Sequence, residues 1–295
     1  MIVSSVKGLR DPFVLVEGDT YYLYGTGVAQ AGDWDNTAWV CYVNDSGRLD
    51  GEWRPVPLPY HLPPDAQKNF WAPEVHRYNG AYYLFGTYYS SATDRRGSAV
   101  LKSSCPTGPF TPVSVGHITP KEWDAIDATL YVDKDGQPWM VFVHEWVCTE
   151  DGVGRMCAAR LSEDLSHMIS PPVELFRADT PPWTDRPVTD GCFLYTTAAG
   201  DLLMTWSNFD EDGYAVAVAH SQNGRPDGAW IHEAAPLYKR GTVDRHDGGH
   251  GMVFTALDGR LYLCLHSPNQ PCDACRERTV FMPLREENGT LSLCR

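Results

Sequence analysis

The chain has 295 residues, 38 of them acidic and 24 basic, for a net charge of -14 at pH 7. A surface this acidic repels phosphate backbones and argues against a nucleic-acid partner. No apolar run approaches the roughly 18 residues a membrane span needs, and the opening MIVSSVKGLRDP has no apolar signal-peptide core, so a cytoplasmic protein with no membrane partner is expected. Nine cysteines are scattered along it and read as reduced thiols in that compartment. The single C-x-x-C, Cys272 to Cys275, lacks the second pair that a four-cysteine zinc site needs and reads as a loop.

Five segments share one pattern, an apolar strand, a glycine turn and a second apolar strand. In chain order they are DPFVLVEGDTYYLYGTG from Asp11, APEVHRYNGAYYLFGTYY from Ala72 and DATLYVDKDGQPWMVFVHEW from Asp127. DGCFLYTTAAGDLLMTWSNF from Asp190 and HGMVFTALDGRLYLCLHSPN from His250 follow. The turn glycines Gly18, Gly80, Gly136, Gly200 and Gly259 recur about every 60 residues, a repeat unit rather than a sandwich spacing. A third strand follows each pair (TAWVCYV, GSAVLKSS, RMCAARLS, YAVAVAHS, RTVFMPLR). A fourth follows in several, as in GEWRPVPL, GPFTPVSV, GAWIHEAA and GTLSLCR. About four strands per unit, five times over, predict an all-β fold, a five-bladed β-propeller forming a single domain over residues 1–295. The segment IVSSV is placed in the last blade, closing the ring.

The inner strands of a propeller run in one direction, so their starts meet at one mouth of the channel. Asp11, the segment Phe70-Trp71-Ala72, Asp127, Asp190 and His250 are the residues expected there. Asp before Pro12 and Asp before Gly191 are each ordinary turn chemistry taken singly. Three carboxylates at equivalent blade positions instead point to acid–base chemistry or metal binding, because like charges held close raise one another's pKa. His246 and His250 have a spacing that binds zinc on a helix, but Gly248 and Gly249 argue against a helix there.

In order and spacing these motifs resemble glycoside hydrolase family 43, five-bladed propeller glycosidases of arabinofuranosidase and xylosidase type, over about residues 8 to 293. The resemblance implies that Asp11, in Arg10-Asp11-Pro12-Phe13, is a general base and that Asp127, in Ile126-Asp127-Ala128, tunes and orients the acid. It implies that Trp71 lines the sugar pocket, though core packing explains it equally, and that a fifth-blade arginine, here Arg278, holds sugar hydroxyls. It also implies that His250 reaches a channel metal such as calcium, with no cofactor needed for the chemistry. Where the family usually has Glu-Gly-Pro, this chain has Asp190-Gly191-Cys192. Asp190 is then the presumed acid, with Glu145 of His144-Glu145-Trp146 as its rival near the substrate.

The expectation is therefore an inverting hydrolase, exo-acting on short oligosaccharides and releasing arabinofuranosyl, xylosyl or galactosyl units. Such an enzyme pairs one carboxylate base with one carboxylic acid about 6.5–9.5 Å apart. The competing readings are a carbohydrate-binding propeller without turnover and a related glycosidase or phosphorylase.

Overall fold

The computed structural model describes residues 1–30, 32–272 and 274–294. Among the described residues there is no α-helix, and the strands form five antiparallel sheets, the five blades of the expected propeller. Blade 1 runs Leu9–Glu17, Thr20–Gly27, Trp39–Asn44 and Arg54–Val56, from the channel outward. Blade 2 is Ala66–Tyr78, Ala81–Ser90, Arg95–Ser103 and Thr111–Pro112; blade 3 is Ala125–Val132, Pro138–His144, Arg155–Arg160 and Val173–Arg177. Blade 4 is Asp190–Thr196, Leu202–Phe209, Tyr214–Ser221 and Trp230–His232. Blade 5 has Gly249–Thr255 innermost, then Leu261–Ser267 and Arg278–Glu287.

The outer edge of blade 5 is shared. Ile2–Lys7 pairs with one half of Arg278–Glu287, with Ile2 opposite Phe281, while Thr290–Leu293 pairs with the other half. The ring is thus closed by the IVSSV segment, as its sequence suggested. Two details differ from the sequence reading. The inner strand of blade 2 starts at Ala66 rather than Ala72, and the outermost strand of blade 3, Val173–Arg177, carries no turn-plus-aromatic signature.

Apolar side chains fill the spaces between neighbouring blades. Trp139 and Trp206 are fully buried between blades 3 and 4, and Phe85 and Phe142 between blades 2 and 3. Alternation along each strand sends one set of side chains to each neighbour, which is why the middle strands read as nearly continuous apolar runs.

At the channel mouth every inner strand breaks its ladder at the same place. The pairing register shifts between Arg10 and Phe13, Trp71 and Glu74, Ile126 and Thr129, Asp190 and Phe193, and Gly249 and Met252. Within each break one residue takes a left-handed backbone: Asp11 (φ 50°), Ala72 (44°), Asp127 (55°), Gly191 (53°) and His250 (52°). Four of the five are not glycine, so the conformation is strained and must be held by its surroundings.

What holds it is a hydrogen bond from each of these N–H groups to the preceding blade. Ala72 donates to Thr26 Oγ1 (2.8 Å), Asp127 to Thr87 Oγ1 (3.1 Å), His250 to Ser207 Oγ (2.8 Å) and Asp11 to His266 Nδ1 (3.2 Å). The acceptors occupy one register position on the second strands, opposite Arg10, Trp71, Asp190 and Gly249. In blade 3 that position is Val143, which has nothing to offer, and the Gly191 N–H turns instead to Asp127 Oδ2 at 3.1 Å.

Thr87→Val would keep the shape, as Val143 shows that valine fits this position, but would leave the Asp127 N–H buried without an acceptor. A loss of about 1–3 kcal/mol in urea unfolding is expected; unchanged stability would show that these bonds do not hold the bulge.

Candidate active site

A bulge aims two successive side chains to the same side of a strand. Both positions therefore face the mouth, and Arg10, Asp11, Trp71, Ile126, Asp127, Asp190 and His250 line one cavity of about 320 Å3. Trp34, Glu145, Trp146, Val188, Phe209, Tyr214 and Asn269 complete its wall. The three aspartates are brought together as the sequence suggested, but not as equivalents. Asp11 and Asp127 sit at the left-handed position, whereas Asp190 sits one residue earlier, in register with Arg10 and Trp71. The left-handed residue of blade 4 is Gly191, and a Cβ there would come within 2.7 Å of the His250 ring. Glycine lets the strand that carries Asp190 close against blade 5.

Asp11 is clamped for ionisation. Its Oδ2 accepts the Thr26 hydroxyl at 2.6 Å, and its Oδ1 faces His250 Nδ1 at 3.3 Å. Burial would raise its pKa, but His250, Arg10 and the Thr26 hydroxyl together bring it below the ordinary carboxylate value. His266 is itself neutral: burial pushes it down to about 3, and its Nδ1 must be unprotonated to accept the Asp11 N–H. Its proton then lies on Nε2, facing Asn269 Oδ1 at 3.3 Å. Asn269 also takes Arg10, through Nη1 to its carbonyl (3.0 Å) and Nη2 to its Oδ1 (2.8 Å).

Asp127 and Asp190 are clamped for the opposite state. Burial first, then the Asp11 charge, pushes Asp127 well above the usual range against the opposing Gly191 N–H. Burial first, then Asp127, raises Asp190 to about 8, although His250 and the Tyr214 hydroxyl work the other way. Of three crowded carboxyls, Asp11 is shifted toward the charged form and the other two toward the protonated form.

Glu145 lines the same cavity behind Trp71. Its Oε2 accepts Arg96 Nε at 2.8 Å, and Arg96 lies over the Trp71 ring at 5.5 Å. Burial raises Glu145, while Arg96 opposes the rise. Trp71 is half-buried and donates its Nε1–H to the Trp34 carbonyl (2.9 Å), with the two rings edge to face. Arg10 stacks on Trp34 at 4.6 Å from the ring centre. Cations and indoles thus alternate from Arg10 through Trp34 and Trp71 to Arg96, a rigid aromatic wall.

One expectation needs correction and another gains no support. Arg278 is not among the residues lining the cavity: it lies on the third strand of blade 5, paired with Ser267 and Lys7, its Nη2 near Cys275 Sγ. The cation in the cavity wall of that region is Arg10, which the sequence reading treated only as part of a motif. The channel metal expected at His250 gains no support. The His250 Nδ1 lies against Asp11 and, at 3.7 Å, Asp127, and no group of three or more potential ligands is arranged for a metal among the described residues. Cys272 and Cys275 bond to each other's backbone in a tight turn, consistent with a loop.

A five-bladed propeller whose channel mouth gathers three carboxyls beside an aromatic wall is the architecture of a glycosidase. The chain belongs to glycosyl hydrolases family 43, whose model matches residues 5–290. It is similar to the solved structure of an endo-arabinase from Bacteroides thetaiotaomicron VPI-5482, at 37% identity and TM-score 0.82 over 98% of both chains. A thermostable family-43 glycoside hydrolase shares the fold at TM-score 0.85 and 22% identity, covering 99% of this chain and 94% of that one. Among curated relatives, the extracellular exo-α-(1→5)-L-arabinofuranosidase ArbA of Cellvibrio japonicus (strain Ueda107) is 25% identical over 55% of this chain and 46% of its own length. The extracellular endo-α-(1→5)-L-arabinanase 1 of Bacillus subtilis (strain 168) is 27% identical over 48% and 45%. The chain thus spans about half the length of the curated relatives it matches.

Keeping Asp190 protonated has a consequence for stability. Its folded pKa lies above its unfolded value, so the native state binds the extra proton and stability falls as pH rises from about 4 to about 8. Asp190→Asn, which mimics the neutral acid, should be more stable than the parent by about 2 kcal/mol or more at pH 8. The gain should shrink toward pH 4, as read by urea unfolding across that range.

Proposed function

We propose that this protein is an inverting, exo-acting glycosidase that removes terminal α-L-arabinofuranosyl units from short oligosaccharides. The observation that carries this reading is the placement of Asp11 and Asp190 on one cavity with partners that shift them in opposite directions, Asp11 toward the charged form and Asp190 toward the protonated one. Asp11 takes a proton from the attacking water as that water bonds to the anomeric carbon. Asp190 gives its proton to the glycosidic oxygen as the C–O bond breaks and its electron pair leaves with the oxygen. Asp127 holds the Gly191 N–H, and so the strand of Asp190, and its carboxyl raises the pKa of the acid.

Asp190 is favoured over Glu145 as the acid because Glu145 is hydrogen-bonded to a guanidinium, which favours its charged form, whereas Asp190 is bonded to a neutral phenol. Exo action is supported by the likeness to an exo-α-(1→5)-L-arabinofuranosidase. The arabinan-directed activities of these relatives support arabinofuranosyl as the sugar.

Asp11→Asn should abolish hydrolysis of every substrate. Asp190→Asn should be slow on nitrophenyl arabinofuranoside yet near normal on dinitrophenyl substrates, which need no acid. If Glu145→Gln shows that leaving-group pattern and Asp190→Asn does not, the acid is Glu145. Proton NMR of the first product should show the inverted anomer, and reducing-end-labelled α-1,5-arabino-oligosaccharides should lose one unit at a time. Release of internal fragments would overturn the exo assignment. Activity should fall below the depressed pKa of Asp11 and above about 8, where Asp190 loses its proton.

A further inference from the structure

Tyr214 opens the third strand of blade 4 and is buried, yet its hydroxyl reaches the cavity and donates to Asp190 Oδ2 at 2.9 Å. Burial first, then the surrounding carboxyls, pushes the phenol well above its ordinary value, so it remains a donor at every pH at which the protein works. An aspartic acid has two equivalent oxygens, and without a partner its proton divides between them. A donor fixed on Oδ2 breaks that symmetry.

The phenol is held from several directions. Its ring centre lies 5.7 Å from that of His266 in a stacked arrangement and 4.9 Å from that of Phe209. It also packs so closely on Gly249 that a Cβ there would lie 2.2 Å from the ring. Its backbone N–H donates to Oδ2 of the buried Asp247 at 3.2 Å, and Oδ1 of the same carboxylate accepts the Asn269 N–H at 3.2 Å. The chain reaches Asp247 through Gly213, whose φ of 140° no ordinary side chain adopts. One carboxylate thus fixes both the partner of Asp190 and, through Asn269, the anchor of Arg10.

We propose that Tyr214 is the positioning residue of the proton donor: its hydroxyl occupies Oδ2 of Asp190 so that the acidic proton sits on Oδ1, available to the glycosidic oxygen. The proposal rests on Asp190 being the acid. The groups that face this carboxyl are Tyr214, Asp127, His250 and Asp11. Only Tyr214 donates a side-chain hydrogen bond to it among the described residues.

Tyr214→Phe keeps the ring and removes the donor. With aryl glycosides of poor leaving groups, kcat should fall about tenfold or more, with KM nearly unchanged. Dinitrophenyl substrates should be almost unaffected. Because the hydroxyl favours ionised Asp190, the alkaline limb of the pH–rate profile should move upward. An unchanged kcat and an unmoved limb would mean that Tyr214 only packs, and would overturn the proposal. If the variant's melting temperature shows that it does not fold, difluorotyrosine placed at position 214 serves instead. Its more acidic phenol donates more strongly, so the limb should move downward, and an unmoved limb there is equally fatal. Asp190→Asn, run on the same substrates, separates the two failures. If it lacks the leaving-group pattern, the acid assignment falls; if it shows the pattern while Tyr214→Phe does not, only the role of Tyr214 falls.

Discussion

The hydrogen bond from each left-handed N–H to the second strand of the preceding blade is the constraint on which the site depends. It lets four non-glycine residues hold a backbone they would otherwise avoid. It stitches each blade to the next at the level where the channel opens. The bulge it supports turns consecutive residues, such as Arg10 with Asp11 and Ile126 with Asp127, toward one space. The exception is instructive. Val143 removes one acceptor, and the carboxyl of Asp127 fills the gap. A structural requirement of the ring therefore fixes the orientation of a residue in the chemical site.

The electrostatics follow from that packing. Three carboxyls are held where water is scarce, and their neighbours divide the labour. Thr26, Arg10 and an imidazole stand by Asp11, while a phenol and an amide stand by Asp190 and Asp127. Differences in neighbouring charges and hydrogen-bonding partners, rather than differences in residue type, shift Asp11 one way and Asp190 the other. The arrangement opposes stability at neutral pH, as is common where a site is built for a reaction rather than for rest.

Much of this was legible in the sequence. The glycine turns and apolar runs repeat because each blade must make the same hairpin and bury the same faces, so the five blades could be read directly. Asp11, Asp127 and Asp190 stood out because a charge at the start of an otherwise apolar inner strand is unusual. The one-residue offset of Asp190 was hidden, since a bulge leaves no residue signature and Asp-Gly reads as a turn. Arg10, Trp34, Arg96, Tyr214 and Asn269 come from loops, motif flanks and outer strands, where no repeat marks a position. Gly213 before Tyr214 was the available signal, a glycine at the entry to a buried strand. Arg278 was misplaced because a blade's third strand stands farther from the channel than a motif list conveys.

Blade 5 combines Ile2–Lys7 with strands that follow residue 249. The ring therefore cannot close during synthesis until the last blade has left the ribosome. Asp11 lies in the first blade, but the imidazoles of His250 and His266 that complete its surroundings lie in the fifth. An emerging chain carries Asp11 long before it carries the imidazoles that pack around it. Assembly of the cavity is thus coupled to completion: four finished blades have the carboxyl but not its surroundings.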